Sequence, residues 1–187
     1  GHKVSEVGKS FGVVIIGKTE VATYRKDRYA GFDDKAVDIS FADTLLEDVS
    51  RRDLTINTMA MDPVTGELID HFNGREDLGK KIIRFVGNPI ERIKEDPNRI
   101  LRACRFAAKI GGEMDEPTAS ALHACAGYVK QFVASERVHK EIMDAMNIKN
   151  ASLFFHLLHQ IGALKDILPS LEECFGHGHG NHHSEDI

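Results

Sequence analysis

The spacing of apolar residues changes near residue 75, and this change limits the folds that the chain can adopt. Before it, apolar residues form short runs such as FGVVII (11–16), which are typical of β-strands. After it, apolar residues recur at helical spacing to the end of the sequence. The pattern predicts an α+β chain in two parts, a small β-containing region followed by a helical array.

The N-terminal part predicts a β-hairpin and one helix. FGVVII and TEVATYR (19–25) flank a turn at Gly17-Lys18, so the two runs are expected to pair as antiparallel strands. The other elements predicted there are a polar loop at 26–42, a helix at 45–62, a turn at 65–66 and a short strand at 68–69.

Four helices and the start of a fifth are predicted in the second part. The first contains EDPNRILRACR (95–105) and is expected to end at Gly111-Gly112. The third should begin with Ser135 as its cap. The later helices are predicted at 116–132, 135–148 and 150–167, and the fifth starts at LPSLEECFG (168–176).

Arginines occupy every third position of the first helix, at Arg99, Arg102 and Arg105. They fall along one edge, beside an apolar arc that is expected to face the core. Eight Lys or Arg residues lie between positions 81 and 109 against three acids, a local charge of +5 in a chain with a net charge of −5. A basic segment in an acidic chain indicates an anion-binding face.

Asp96 and Arg99, three residues apart, would be neighbours on a helix. Cytosine and adenine present an amino donor beside a ring-nitrogen acceptor, and guanine and uracil present the reverse order. A carboxylate acceptor beside a guanidinium donor could therefore accept C and A and refuse G and U. A structural alternative is that Asp96 only caps the helix that Pro97 begins.

Composition excludes several other classes of protein. The sequence has no run of 18 apolar residues and no signal-peptide pattern at its start. The three cysteines form no CxxC pair, which argues against a disulfide framework. These features predict a soluble, cytoplasmic protein.

Several motifs resemble those of the class II tRNA nucleotidyltransferase and bacterial poly(A) polymerase family. EDPNRILRACRF is similar to the nucleotide-selecting EDxxRxxRxxRF motif, and SRRDLTINTMAMD (50–62) to the RRD(F/L)TINA(L/M) motif. LIDHFNGREDL (68–78) resembles (L/I)IDxFxGxxDL, and SERVHKEI (135–142) resembles a later helical motif. VGKSFGVV and EVATYRKD are similar to the second half of the catalytic head. The motifs occur in the family's order over nearly the whole chain.

The resemblance implies a role for each matching position. Arg52 and Asp53 would contact the sugar and triphosphate, with Arg51 as the alternative to Arg52. Asp96 and Arg99 would face the base. Arg102 and Arg105 would complete the pocket, and Glu20 would be a catalytic carboxylate near the metal site or simply an exposed strand residue.

The resemblance also implies a domain organisation. Residues 1–74 would be the C-terminal part of a nucleotidyltransferase head, a β-hairpin plus helix. Residues 75–148 would form the nucleotide-selecting helical neck. Residues 149–187 would start a helical body or a truncated HD-type phosphohydrolase region.

The implied reaction is transfer of CMP and AMP from CTP and ATP to the 3′ end of tRNA, with Mg²⁺ held by an Asp-x-Asp strand. That strand and its GG-x-VRD loop do not occur in the sequence. The expectation is therefore a fragment that is inactive alone and whose own metal ligands are unknown.

Three other interpretations of the sequence stay open. A poly(A) polymerase or A-adding enzyme would carry the same motifs, and a non-catalytic RNA-binding module would lack the Asp-x-Asp strand. The C-terminal sequence could also hold a metal adventitiously, through Cys174, His177, His179, His182 and His183, although a flexible tail is the simpler reading.

Overall fold

The computed structural model describes residues 4–5, 13–28 and 38–176. The chain divides into two compact units, Gly1–Arg52 and Asp53–Ile187. The strands and helices combine as an α+β chain, so the predicted class is confirmed. The division into head, neck and body at residues 74 and 148 stays a prediction.

The first unit contains five short strands and one helix among its described residues. Strands β1 (Val4–Ser5), β2 (Val13–Ile16) and β3 (Thr19–Ala22) form an antiparallel sheet in that order. Strands β4 (Arg25–Arg28) and β5 (Asp38–Phe41) form a second antiparallel pair. The helix is α1 (Leu45–Ser50).

The predicted hairpin is confirmed by β2 and β3, in which Ile16 pairs with Thr19 across the turn. Gly17 has φ 67°, a left-handed conformation that glycine adopts without steric cost. The predicted loop at 26–42 is wrong at both ends, where β4 and β5 pair residue by residue. Residues 29–37 lie outside the described part.

Helix α1 begins with a capping box that the sequence analysis did not identify. The Thr44 side chain accepts a hydrogen bond from the backbone N–H of Glu47, whose carboxylate accepts the Thr44 N–H. The predicted helix at 45–62 is right at its start but wrong after Ser50, where α1 ends.

The segment that follows α1 is extended because its backbone pairs elsewhere in the second unit. Leu54 forms a β-bridge with Phe85, and the Thr55 N–H donates to the Arg84 carbonyl at 2.9 Å. A short 3-10 helix (Thr55–Asn57) leads to strands β6 (Ala60–Met61) and β7 (Leu68–Ile69). These two strands pair around Gly66, which confirms the predicted turn and strand.

The remainder of the second unit is mainly helical. Its elements are α2 (Gly74–Lys80), β8 (Ile82–Ile83), α3 (Pro89–Glu95), α4 (Arg99–Ile110), β9 (Glu113–Met114), α5 (Glu116–Cys125), α6 (Tyr128–Phe132), α7 (Ser135–Met146), α8 (Ala151–Gln160), α9 (Leu164–Ile167) and α10 (Pro169–Glu172). None of the helices in the described part is long and apolar enough to cross a membrane.

Gly111 and Gly112 end helix α4, as predicted. Gly111 has φ 60°, and its N–H donates to the Ala107 and Ala108 carbonyls. A Cβ at Gly112 would lie 2.1 Å from the Lys81 carbonyl oxygen, so the position accepts only glycine. This close approach aligns β9 with β8 as a parallel pair.

Four predicted helix starts, ends or caps are wrong. The first helix does not contain all of residues 95–105, because α3 ends at Glu95 and α4 begins at Arg99. The helix at 116–132 is two helices, α5 and α6, separated at Ala126-Gly127. The helix at 150–167 is broken at Gly162, whose φ is 78°. Ser135 is the first residue of α7 rather than its cap, which is Ala134.

The core of the second unit lies between α4 and the helices around it. The apolar arc of α4 is fully buried, as predicted, at Ile100, Leu101, Cys104, Ala107 and Ala108. Helix α4 packs against α7 and α8, and α3 packs against α5. Because one face of α4 is fixed in this core, its arginine edge has a fixed direction.

Candidate nucleotide-binding site

The predicted base readers lie in the turn between α3 and α4. Asp96 is extended (φ −151°, ψ 98°) and ends α3, and Asn98 is the N-cap residue of α4. The Asp96 carbonyl accepts the Arg99 N–H at 3.0 Å, and its Oδ1 accepts the Asn98 N–H at 3.1 Å. Asp96 therefore orders the turn, and its prediction as the N-cap of the arginine helix is wrong.

Asp96 and Arg99 are close in the turn, but each has its own protein partner. Arg99 is 5% exposed, and its Nη1 donates to Glu95 Oε2 at 2.6 Å and to the Arg92 carbonyl at 2.9 Å. Asp96 Oδ2 accepts from Arg137 Nη2 at 2.7 Å. The turn thus holds an acceptor and a donor in fixed positions, and their role in reading a base stays a prediction.

The second arginine of the edge is bound to Asp53. Arg102 Nε donates to Asp53 Oδ2 at 2.6 Å, although 49 residues separate the two. Asp53 Oδ1 accepts from the Leu54 N–H at 2.8 Å and from Asn57 Nδ2 at 3.0 Å. The structure therefore brings together two predicted nucleotide-binding residues as an ion pair.

Asp53 is ionised despite its burial. Burial raises its pKa, but the charge of Arg102 and hydrogen bonds from Asn57, Arg102 and the Leu54 N–H outweigh that effect, and the pKa lies below its ordinary value. Burial likewise lowers the pKa of Arg102, but the charge and hydrogen bond of Asp53, together with the charges of Glu141 and Asp96, outweigh that effect and raise it. The pair is charged at neutral pH.

The third arginine is bound to Glu141, a residue that the sequence analysis missed. Arg105 Nε donates to Glu141 Oε2 at 2.6 Å, and Asn98 Nδ2 donates to Oε1 at 3.2 Å. Arg102 Nη1 lies 4.0 Å from the same Oε1. Glu141 is 4% exposed. Through these contacts it connects α7 to Asn98 in the turn and to the arginines of α4.

A local signal for Glu141 was present in the sequence. Val138, Ile142 and Ala145 define the apolar face of α7, and Glu141 lies on that face between them. An acid on an apolar helical face needs a buried partner. The partner comes from α4, which the spacing within α7 does not reveal.

An aromatic ring completes the edge. The guanidinium carbons of Arg102 and Arg105 lie 5.6 and 4.8 Å from the centroid of the Phe106 ring, and Lys109 Nζ lies 5.7 Å from it. Cations at these distances are attracted by the ring quadrupole. The ring therefore helps to keep the arginine side chains against the helix.

Glu20 and Arg52 lie in the first unit and line one cavity of about 270 Å³. Asp48 is buried beside it, and its Oδ2 accepts from Arg52 Nη2 at 3.1 Å. Arg51 donates to Asp48 Oδ1 at 2.7 Å and is 21% exposed, against 40% for Arg52. Arg52 is thus the more accessible of the two candidates for a triphosphate contact.

The described residues do not fit a magnesium site. They contain no group of three or more Asp, Glu, His or Cys side chains that could hold a metal ion. Glu20 is exposed on β3, and its catalytic role stays a prediction. Of the C-terminal candidates, the four histidines lie outside the described residues.

Two family profiles match the chain. The poly(A) polymerase head domain matches residues 2–84, and the profile described as the probable RNA and SrmB binding site of polymerase A matches residues 112–175. The CCA-adding enzyme of Oceanobacillus iheyensis is 42% identical over 144 residues, which are 75% of this chain and 36% of that protein. A multifunctional CCA protein of Neisseria gonorrhoeae is 41% identical over 182 residues, 91% of this chain and 42% of that protein.

Solved structures agree with these sequence relatives. The CCA-adding enzyme of Bacillus stearothermophilus in complex with CTP has a TM-score of 0.80 and 31% identity, over 91% of this chain and 42% of that one. A tRNA nucleotidyltransferase complexed with a primer tRNA and an incoming ATP analog has a TM-score of 0.74 and 31% identity, over 93% of this chain and 48% of that one. The chain thus spans less than half the length of these relatives.

Proposed function

Because the chain belongs to the class II tRNA nucleotidyltransferase and poly(A) polymerase family, we propose that it selects CTP and ATP for transfer of CMP and AMP to the 3′ end of tRNA. The observation that carries the proposal is the arginine edge of α4. Its three arginines, Arg99, Arg102 and Arg105, are each fixed by a carboxylate, next to the ordered turn at Asp96.

Fixed partners suit this edge to base selection. A guanidinium held by two acceptors cannot change rotamer to follow a wrong base. Arg99 would therefore hydrogen-bond only to a base that presents an acceptor opposite its guanidinium. Asp96 would in turn accept the amino group of cytosine or adenine. A mismatched base leaves a polar group unpaired, which is the physical basis of discrimination.

The more exposed arginines suit phosphate contacts. The side chains of Arg102 and Arg52 are 33% and 40% exposed. Arg52 pairs with Asp48, and Arg102 pairs with Asp53 and lies 4.0 Å from Glu141. The exposed part of each guanidinium could donate to a phosphate oxygen. Charge-assisted hydrogen bonds of this kind do not depend on the base.

In the proposed reaction the RNA 3′-hydroxyl attacks the α-phosphate and pyrophosphate leaves. Mg²⁺ would stabilise the charge that develops on the phosphates. The described residues offer no set of ligands that would hold this ion.

Nucleotide binding tests the proposal directly. The 187-residue chain is titrated calorimetrically with CTP, ATP, UTP and GTP. CTP and ATP should bind at least about tenfold more tightly than UTP and GTP, because the latter place an acceptor against Asp96. Equal affinity for all four nucleotides, or affinity for none, would contradict the proposal.

Two other functions are separated by related measurements. The profile match at residues 112–175 favours RNA contact by the later helices, so a chain that binds tRNA but no nucleotide would be an RNA-binding module. With protein from the complete reading frame, incorporation of AMP alone would indicate an A-adding enzyme or poly(A) polymerase, and incorporation of CMP followed by AMP would indicate CCA addition.

A further inference from the structure

We propose that Arg137 is a specificity-determining residue, which occupies the base acceptor of Asp96 until cytosine or adenine displaces it. The inference rests on the proposed function of Asp96 in base selection. It assigns to α7 a direct effect on nucleotide affinity.

The two oxygens of the Asp96 carboxylate are held in different ways. Oδ1 accepts a backbone N–H, that of Asn98, at 3.1 Å. Oδ2 accepts from the side chain of Arg137, 41 residues along the chain, at 2.7 Å. The backbone bond fixes the carboxylate within its own turn. Asp96 therefore keeps its position when Arg137 leaves.

Arg137 can leave at little cost. Its side chain is 50% exposed and that of Asp96 is 23% exposed, so water can solvate both groups after they separate. Arg137 also lies in the first turn of α7, where the helix dipole disfavours a cation. By contrast Glu141, one turn further on, is 4% exposed and cannot release its partners in the same way.

The exchange depends on the base. The amino group of cytosine or adenine supplies an N–H donor to Asp96, which replaces the guanidinium N–H one for one. Uracil and guanine present a carbonyl oxygen at that position, so they offer Asp96 no donor there. Arg137 would stay on Asp96 in their presence and could donate to that oxygen. The residue therefore lowers the affinity for the correct bases and not for the wrong ones.

The test is calorimetric titration of the 187-residue chain with CTP, ATP and UTP. An exposed ion pair is worth up to about 1 kcal/mol, so Arg137→Ala should tighten CTP and ATP binding about two- to fivefold. UTP affinity should stay unchanged or fall. Arg137→Lys retains a donor for Asp96 and should stay near the wild-type affinities.

A matched control comes from the same helix. Lys140 is an exposed cation of α7 that pairs with Asp144 at 2.8 Å rather than with Asp96. Lys140→Ala should leave all three affinities unchanged. Circular dichroism of each variant verifies that the helices are intact.

Every other pattern overturns the inference. Weaker binding of CTP and ATP alone would make Arg137 a positioning residue, and equal loss for all nucleotides would make it structural. Unchanged CTP and ATP affinities would show that Arg137 does not compete for Asp96. Wild-type protein that binds no CTP would instead refute the proposed function, and this inference with it.

Discussion

Removal of the Glu141 carboxylate should destabilise the second unit strongly. The side chains of Glu141 and Arg105 are 5% and 12% exposed, and their atoms Oε2 and Nε are 2.6 Å apart. Glu141→Leu would leave a buried guanidinium without an anion and the Asn98 amide without its acceptor. Removing one partner of a buried pair costs about 3–5 kcal/mol in the free energy of unfolding.

Urea unfolding followed by circular dichroism at helical wavelengths measures this loss, because the second unit holds all but one of the helices in the described residues. With a slope of about 1–3 kcal/mol per molar urea, the midpoint should fall by at least roughly 1 M. Glu91→Gln, on α3, removes an exposed carboxylate that pairs with Lys94. That control should not shift the midpoint.

A double variant separates the unpaired charge from a packing defect. Arg105→Leu together with Glu141→Leu removes both charges, so it should recover much of the stability that Glu141→Leu loses. A double variant no more stable than Glu141→Leu would refute the reasoning, because the loss would then not come from the guanidinium of Arg105.

Three further changes test the proposed site. Arg52→Ala should weaken CTP and ATP binding alike, by about 1.5–3 kcal/mol for one charge-assisted contact; an effect on one nucleotide only, in the same titration, would assign Arg52 to base reading. Asp96→Asn retains an acceptor for the turn but loses the carboxylate, so the preference for CTP over UTP should fall about tenfold, and an unchanged preference would reduce Asp96 to a turn residue. The lowered pKa of Asp53 stabilises the fold above the ordinary carboxyl pKa, about 4, and this contribution is lost as the pH falls through the lowered value. Acid unfolding should therefore be less steep in Asp53→Asn, and an identical profile would contradict the ion pair with Arg102.

Local patterns predicted those parts of the fold that depend on neighbouring residues. The β2–β3 hairpin follows from two apolar runs around Gly17, and the buried face of α4 follows from the spacing of its apolar residues. The prediction failed after residue 50, because the helical spacing of apolar residues continues there although helix α1 has ended. Leu54 and Thr55 instead pair with Phe85 and Arg84, about thirty residues away, and no local pattern contains that information.

The same limit applies to the site. The sequence placed Arg99, Arg102 and Arg105 on one edge, and all three do lie on α4, one at every third position. It could not show that their partners differ. Arg99 binds the nearby Glu95, whereas Arg102 and Arg105 bind the distant Asp53 and Glu141. Those partners lie 49 and 36 residues away, and only the packing of whole helices brings them close.

These distant partners also change the electrostatic argument. The segment from residue 81 to residue 109 has a charge of +5 in the sequence, which favours a broadly basic face. Four carboxylates from outside it, Asp53, Asp77, Asp115 and Glu141, pair with three of its arginines, Arg84, Arg102 and Arg105. Arg137, also from outside, pairs with Asp96, so the local charge falls from +5 to +2. A nearly neutral surface attracts anions weakly at long range. Selection of a nucleotide here must therefore depend on where the individual donors and acceptors are held, and the carboxylates that neutralise the arginines are the groups that hold them.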